Sequence, residues 1–261
     1  MFFDSHAHLD DEKFDYDRLE LIPALKKNGI SFLINASSDV ASSCRALQLC
    51  ETYDFIYAVC GVHPHETETM TESDFDEIKR LLCHPKCVGL GEIGLDYYYD
   101  TAIRDKQRYW FLRQLEYAAE KNLPVVIHDR DAHEECVRAV SDFGVRGEFH
   151  CYSGSEETAR ELLRLGFYLS FNGVVTFRNA KKSHHVIRAI PMERLLIETD
   201  CPYLTPEPFR GRRNDPSKIR FTAQTIADLK NVSLEDLANI TRRNAATLFG
   251  ISAAMRAPDG K

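Results

Sequence analysis

Short β-rich apolar runs recur eight times along the chain: Phe2 to Ser5, Ser31 to Asn35, Phe55 to Cys60, Cys87 to Leu90, Pro124 to Ile127, Glu148 to Phe149, Phe167 to Phe171 and Leu195 to Ile197. Segments of helical character separate them. In Arg104 to Lys121, the residues Tyr109, Leu112, Leu115, Tyr117, Ala118 and Ala119 approximate an i, i+3, i+4 pattern. Strands that alternate with helices run parallel, because each helix carries the chain back to the starting end of the sheet. Eight such units predict an α/β fold, a single TIM-like (β/α)8 barrel, with residues 1–261 as one domain. The length of 261 residues is close to the ~250 this architecture uses. An open doubly wound sheet is the rival, but the first strand-helix junction, Asp4-Ser5-His6-Ala7-His8, lacks the glycines of a dinucleotide-binding turn.

Helix stops support the alternation. Lys26-Lys27-Asn28-Gly29 and Leu163-Arg164-Leu165-Gly166 place basic residues and then a glycine at the end of a helical segment, and a strand follows each. Pro216 to Leu229 and Leu234 to Phe249 read as closing helices, and Ala253 to Lys261 as a frayed tail. The net charge of −7, from 33 Lys and Arg against 40 Asp and Glu, excludes a broad basic face, so any polyanion is held locally. The eight cysteines are scattered without a C-x-x-C pair, which fits a reduced, cytoplasmic setting. Asp4, Asp10, Asp11, Asp15 and Asp17 interrupt the first thirty residues, and no apolar run approaches a membrane span, so neither export nor membrane insertion is expected.

Parallel barrels carry their reacting groups at the C-terminal strand ends. Metal-binding residue types stand where the apolar runs stop: His6 and His8 after the first, Glu92 after the fourth, His128 after the fifth, His150 after the sixth and Asp200 after the eighth. His6 and His8, two apart on an extended segment, point to one side and can share an ion; a capped turn is the ordinary alternative. Glu92 lies among glycines in Gly89-Leu90-Gly91-Glu92-Ile93-Gly94-Leu95-Asp96. Its two oxygens can bridge ions about 3.5–4 Å apart, or it can pair with Arg130. His128 and His150 can complete a second ion with Glu92. Asp200 can ligate the first ion and accept a proton from the attacking water, or cap a helix before Pro202.

Six nitrogen and oxygen ligands without a thiolate suggest an open catalytic site for two divalent ions, with Mg2+, Mn2+ and Zn2+ all acceptable to the set. Asp200, Glu92 and His63 are the candidate catalytic residues. His63, in Gly61-Val62-His63-Pro64-His65, can protonate a leaving group, hold a substrate phosphate or support a ligand. Arg130, Arg212, Arg213 and Asn214 are candidate anion holders, and the helix beginning at Pro216 would add its N-terminal dipole.

These residues resemble the TatD family of metal-dependent deoxyribonucleases, within the amidohydrolase superfamily. The matching motifs run from Asp4-Ser5-His6-Ala7-His8-Leu9-Asp10 through Gly61-Val62-His63-Pro64-His65, Gly91-Glu92-Ile93-Gly94-Leu95-Asp96-Tyr97, His128-Asp129-Arg130-Asp131-Ala132, His150-Cys151-Tyr152-Ser153-Gly154 and Glu198-Thr199-Asp200-Cys201-Pro202-Tyr203-Leu204 to Arg212-Arg213-Asn214-Asp215-Pro216. The resemblance implies a barrel, with His6, His8, Glu92 and Asp200 on the first metal and Glu92, His128 and His150 on the second. It also implies a nuclease of the 3′-to-5′ exonuclease type on DNA, single-stranded or at a 3′ end. Asp129, Tyr152 and Cys201 depart from the residues frequent in the family, and none of them removes a ligand.

The leading expectation is therefore phosphodiester hydrolysis by water activated between two metals. Two alternatives stand beside it. One is an amidohydrolase or esterase on a small or tRNA-linked substrate, for which Arg212 and Arg213 would be dispensable. The other is a nucleic-acid-binding adaptor without catalysis, against which the intact ligand set speaks.

Overall fold

The computed structural model describes residues 1–99 and 102–252, so the tail expected over Ala253 to Lys261 lies outside the described residues. The strands are β1 (Phe2–Ala7), β2 (Ile30–Ala36), β3 (Ile56–Cys60), β4 (Cys87–Asp96), β5 (Val125–Arg130), β6 (Gly147–Phe149), β7 (Tyr168–Phe171) and β8 (Leu195–Ile197). Between and after them run α1 (Arg18–Leu25), α2 (Val40–Thr52), α3 (Glu72–Leu81), α4 (Arg104–Lys121), α5 (His133–Phe143), α6 (Glu156–Arg164), α7 (Lys181–Ala189), α8 (Ile219–Lys230) and α9 (Leu234–Phe249). Each strand pairs in parallel with the next, in chain order.

The two sheet edges meet through β1 and the residues that follow β8. His8 N–H donates to the Cys201 carbonyl at 2.8 Å, and Asp200 N–H donates to the His6 carbonyl at 2.9 Å. The buried carboxylate of Asp4 accepts from Thr199 N–H at 2.9 Å and from Thr199 Oγ1 at 2.6 Å. The result is the expected TIM-like (β/α)8 barrel.

Three strands extend beyond their apolar runs. β1 continues through His6, β4 through Glu92 as far as Asp96, and β5 through His128 as far as Arg130. The ladder persists because it depends on backbone groups: Gly94 pairs with His128 and Asp96 with Arg130. These polar side chains therefore project from regular strands, whose directions are more rigidly set than those of loops.

Alternation along the strands sorts the core. Phe3, Ile34, Val59, Val126 and Leu196 form one cluster with Ala245, Ala246, Leu248 and Phe249 of α9. Leu33, Ile56, Val125, Ile127, Leu195 and Ile197 belong to a larger cluster shared with the surrounding helices.

α4 has the expected span but a different buried face. Tyr109 and Leu112 are exposed, while Gln107, Trp110, Phe111, Gln114, Leu115 and Ala118 are buried. The glutamines mislead a reading by polarity. Gln114 bonds Val62 N–H and Val62 carbonyl, and Gln107 bonds Asp96 N–H and Asp96 carbonyl, so their amides are satisfied by backbone groups at the strand ends. The helix expected from Pro216 starts instead at Ile219, after a 3-10 turn over Pro216–Lys218.

Candidate metal centre

Side chains from β1, β4, β5 and the segments after β6 and β8 converge on Glu92. Its Oε2 lies 3.2 Å from His6 Nε2 and 3.7 Å from His8 Nε2. Asp200 Oδ1 lies 3.8 Å from His6 Nε2 and 3.3 Å from His8 Nε2. On the other side, Glu92 Oε1 lies 2.8 Å from both His128 Nδ1 and His150 Nε2, and 3.4 Å from His63 Nε2. The two oxygens of one buried carboxylate thus face two separate groups of donors.

Hydrogen bonds behind the rings decide which nitrogen His8 and His128 present. His8 Nδ1 lies 3.0 Å from the Ala36 carbonyl, which turns Nε2 toward Glu92 and Asp200. His128 Nε2 lies 3.1 Å from Asp96 Oδ2, leaving Nδ1 for the centre. Asp96 Oδ2 also accepts from His65 Nε2 at 2.8 Å, and the Asp96 backbone is held by Gln107. His150 presents Nε2 to Glu92, while its Nδ1 lies 3.6 Å from Glu198 Oε1, within ion-pair range but beyond a hydrogen bond. A carboxylate or carbonyl behind the imidazole is the usual way proteins orient a metal-binding histidine.

Charge in the centre follows from burial and proximity. Burial opposes the charge on Glu92, but His150, His63, His6 and His128 outweigh it and hold the carboxyl well below the usual range. Asp200 is likewise lowered, with burial overcome by the His8 hydrogen bond and the neighbouring imidazoles. Burial works against a charge on His8, yet Asp200 and Glu92 lift it to about 9. His63 is pushed the other way, to about 4, because burial prevails over its attraction to Glu92.

The backbone is unusual where these side chains leave it. Asp200 and Cys151, the latter directly after His150, adopt left-handed φ angles of 54° and 46°. Such conformations cost about 1–3 kcal/mol each and persist where surrounding structure holds them. Gly94 has φ of 150°, and a Cβ there would meet the His128 carbonyl at 1.9 Å. Only glycine lets β4 pass this close to the residue that presents His128.

Arg130, Arg213 and Asn214, anion holders expected from sequence, have contacts of their own. Arg130 pairs with aromatic rings instead of Glu92: its guanidinium sits 4.0 Å from the Tyr98 ring centre and 4.8 Å from that of Tyr99. Arg213 is engaged by Asp17 through a two-pronged contact of 2.8 and 2.5 Å. Asn214 is buried and donates to the carbonyls of Thr199 and Tyr203, while Arg212 is exposed. Asp215 already caps the turn at Pro216, accepting from Ser217 N–H at 3.0 Å. Asp200 begins no helix, so the capping alternative for it is excluded. Asp96, Glu198 and His65 were missed by sequence reasoning; the signal was their place inside motifs whose metal-type residues drew attention first.

A divalent cation fits this donor set. Donors at about 2.1 Å around one tetrahedral ion lie about 3.4 Å apart, and the separations of His6 Nε2 and His8 Nε2 from each other, from Glu92 Oε2 and from Asp200 Oδ1 span 3.2 to 3.8 Å. The groups His6, His8, Glu92 and His63, Glu92, His128 each place their donor atoms within 4.8 Å of one another.

The family model for TatD related DNases matches residues 3–250. The chain is 47% identical over 255 residues to the uncharacterized metal-dependent hydrolase YabD of Bacillus subtilis, covering 97% of this chain and 100% of that protein. It is 32% identical to the 3′-5′ ssDNA/RNA exonuclease TatD of Escherichia fergusonii, over 96% of this chain and 99% of that protein. The solved structure of YjjV, a TatD homologue from Escherichia coli, matches with a TM-score of 0.91 at 27% identity, over 96% of this chain and 98% of that one. On this full-length agreement of sequence and fold, the chain belongs to the TatD family of metal-dependent hydrolases.

Proposed function

We propose that the protein is a two-metal nuclease that removes nucleotides from the 3′ end of single-stranded DNA. The observation that carries this reading is the division of Glu92, with Oε2 facing His6 and His8 and Oε1 facing His128 and His150. His6, His8, Glu92 and Asp200 would hold one ion, and Glu92, His128 and His150 the other. Bound divalent ions lower the pKa of water and neutralise charge on phosphoryl oxygens.

The chain's own residues supply the rest. Asp200 is ionised at neutral pH and so can accept the proton of the attacking water. His63 Nδ1 accepts from His65 N–H at 3.1 Å, which puts the ring proton on Nε2. With its pKa near 4 the ring is neutral, suiting it to donate a hydrogen bond to a phosphoryl oxygen more than to act as an acid.

Exposed rings adjoin both halves of the cluster. Tyr203 lies 6.2 Å from His8 and Tyr99 lies 5.5 Å from His65, both ring to ring, and Arg130 stacks beside Tyr98 and Tyr99. Bases of any identity can stack on such surfaces when the strand is unpaired, which favours a single-stranded substrate. The single-strand exonuclease named among the relatives supports the same choice.

The test is cleavage of 5′-labelled and 3′-labelled single-stranded DNA with Mg2+ or Mn2+, repeated with Glu92→Ala. The expected result is stepwise shortening of the 5′-labelled strand by the wild type and none by the variant. Equal cleavage by Glu92→Ala would overturn the assignment.

A further inference from the structure

The loops leaving β7 and β8 border a surface cavity of about 620 Å³ lined by Thr176, Arg178, Asn179, Glu207 and Arg210. Both loops start at the C-terminal strand ends, the barrel end that also carries His150 and Asp200. They are tied together there, Glu207 N–H donating to Thr176 Oγ1 at 2.8 Å. In parallel α/β barrels this pair of loops frequently forms a phosphate site.

The chemistry of the lining points the same way. Two guanidinium groups face one carboxylate, so the cavity is locally basic on a chain whose net charge is −7. Among the described residues, neither Arg178 nor Arg210 has a carboxylate within ion-pair distance, whereas Arg213 is bound by Asp17. The Arg210 guanidinium carbon sits 4.3 Å from the Phe177 ring centre, a cation–π contact that restrains the group without using its N–H donors. Asn179 adds an amide donor, and α7 starts two residues later, its N-cap Ala180 offering no side-chain cap to the first-turn N–H groups.

We propose that this cavity binds a backbone phosphate of the substrate strand, away from the bond being cleaved, with Arg178 and Arg210 as its charged contacts. The inference rests on the nuclease reading and adds Arg178 and Arg210 to the candidate strand contacts. It makes turnover depend on substrate length, because a minimal phosphodiester has no second phosphate to place here.

The experiment compares the wild type with the double variant Arg178→Ala/Arg210→Ala on a single-stranded oligonucleotide and on bis-p-nitrophenyl phosphate, which contains one phosphodiester. Binding of the fluorescent oligonucleotide is also followed by anisotropy, with chelator, across a salt series. In the double variant kcat/KM on the oligonucleotide should fall about tenfold or more, the loss expected for one charge-assisted contact. Activity on bis-p-nitrophenyl phosphate should stay unchanged, and the slope of log Kd against log salt should shrink by about 0.7, the value for one single-strand phosphate. Equal losses on both substrates, or no loss on the oligonucleotide, would overturn the proposal while leaving the nuclease reading intact. A wild type that hydrolyses only the small diester, without binding or cutting the oligonucleotide, would overturn both.

Discussion

The backbone N–H of Asp200 donates to the carbonyl of His6 at 2.9 Å, joining the residue after the last strand to the first strand. The same seam is reinforced by Asp4 and Thr199. Closing the barrel and bringing Asp200 beside His6 and His8 are therefore one structural event, and the first donor group depends on that closure in a way the second does not.

Loosening the seam should accordingly be felt asymmetrically. Thr199→Val removes the hydroxyl that donates to Asp4 at 2.6 Å while conserving shape. A cost of about 1–3 kcal/mol is expected for leaving a buried acceptor short of a partner, read by urea unfolding of the chelated protein. Metal titration should show weakened binding at one site only. Two equally weakened sites would contradict the asymmetry.

Removing a ligand of one group tests the division of Glu92. His8→Ala takes a donor from the Oε2 side and leaves His128 and His150 on the Oε1 side untouched. Elemental analysis after dialysis should find about half the metal of the wild type, on the two-site stoichiometry of this class of centre. Complete loss of metal would argue for a single shared site.

Asp96 is a positioning residue, acting through His128 and His65. Asp96→Asn should lower metal affinity about 10–100-fold, the usual effect of changing the partner of a metal-binding histidine. A merely structural role would instead lower the melting temperature of the metal-free protein and leave the affinity of the folded protein unchanged.

At Gly94 the constraint is steric. Gly94→Ala would force a Cβ into the His128 carbonyl at a φ that disfavours side chains. The conformational strain alone should cost about 1–3 kcal/mol. Denaturant unfolding measures it, and a variant as stable as the wild type would show that β4 and β5 are not held as close as described.

The pair of Arg108 and Glu135 gives a pH dependence away from the centre. Arg108 hydrogen-bonds Glu135 at 2.7 and 2.8 Å and holds its carboxyl down to about 2. A carboxyl lowered in the folded state stabilises it fully above its unfolded value near 4.5, and that stability fades as pH falls toward 2. The stability difference between wild type and Arg108→Leu should be about 1 kcal/mol or less at pH 7, given the exposure of the pair. It should vanish between about pH 5 and 2, and a difference independent of pH would refute the linkage.

The alternation of apolar runs and helical segments was legible because each strand of a parallel barrel is covered on both faces and reads as a short hydrophobic burst. The ligand types were legible because the fold delivers strand ends to one face, so a His, Glu or Asp beside such a burst already has an address. Local pattern says nothing about where an unpaired charge will find its partner. Arg213 and Asn214 read as candidate anion holders from sequence, with no sign there that Asp17, far away in sequence, engages one and two backbone carbonyls engage the other. The same holds for Gln107 and Gln114, polar by composition yet buried, and for Asp96, which joins His65 to His128 across three strand ends. Sequence determined which elements form and which chemistry they carry; tertiary structure alone decided the partners, because hydrogen bonds and ion pairs depend on distances of about 3 Å that only closure of the barrel sets.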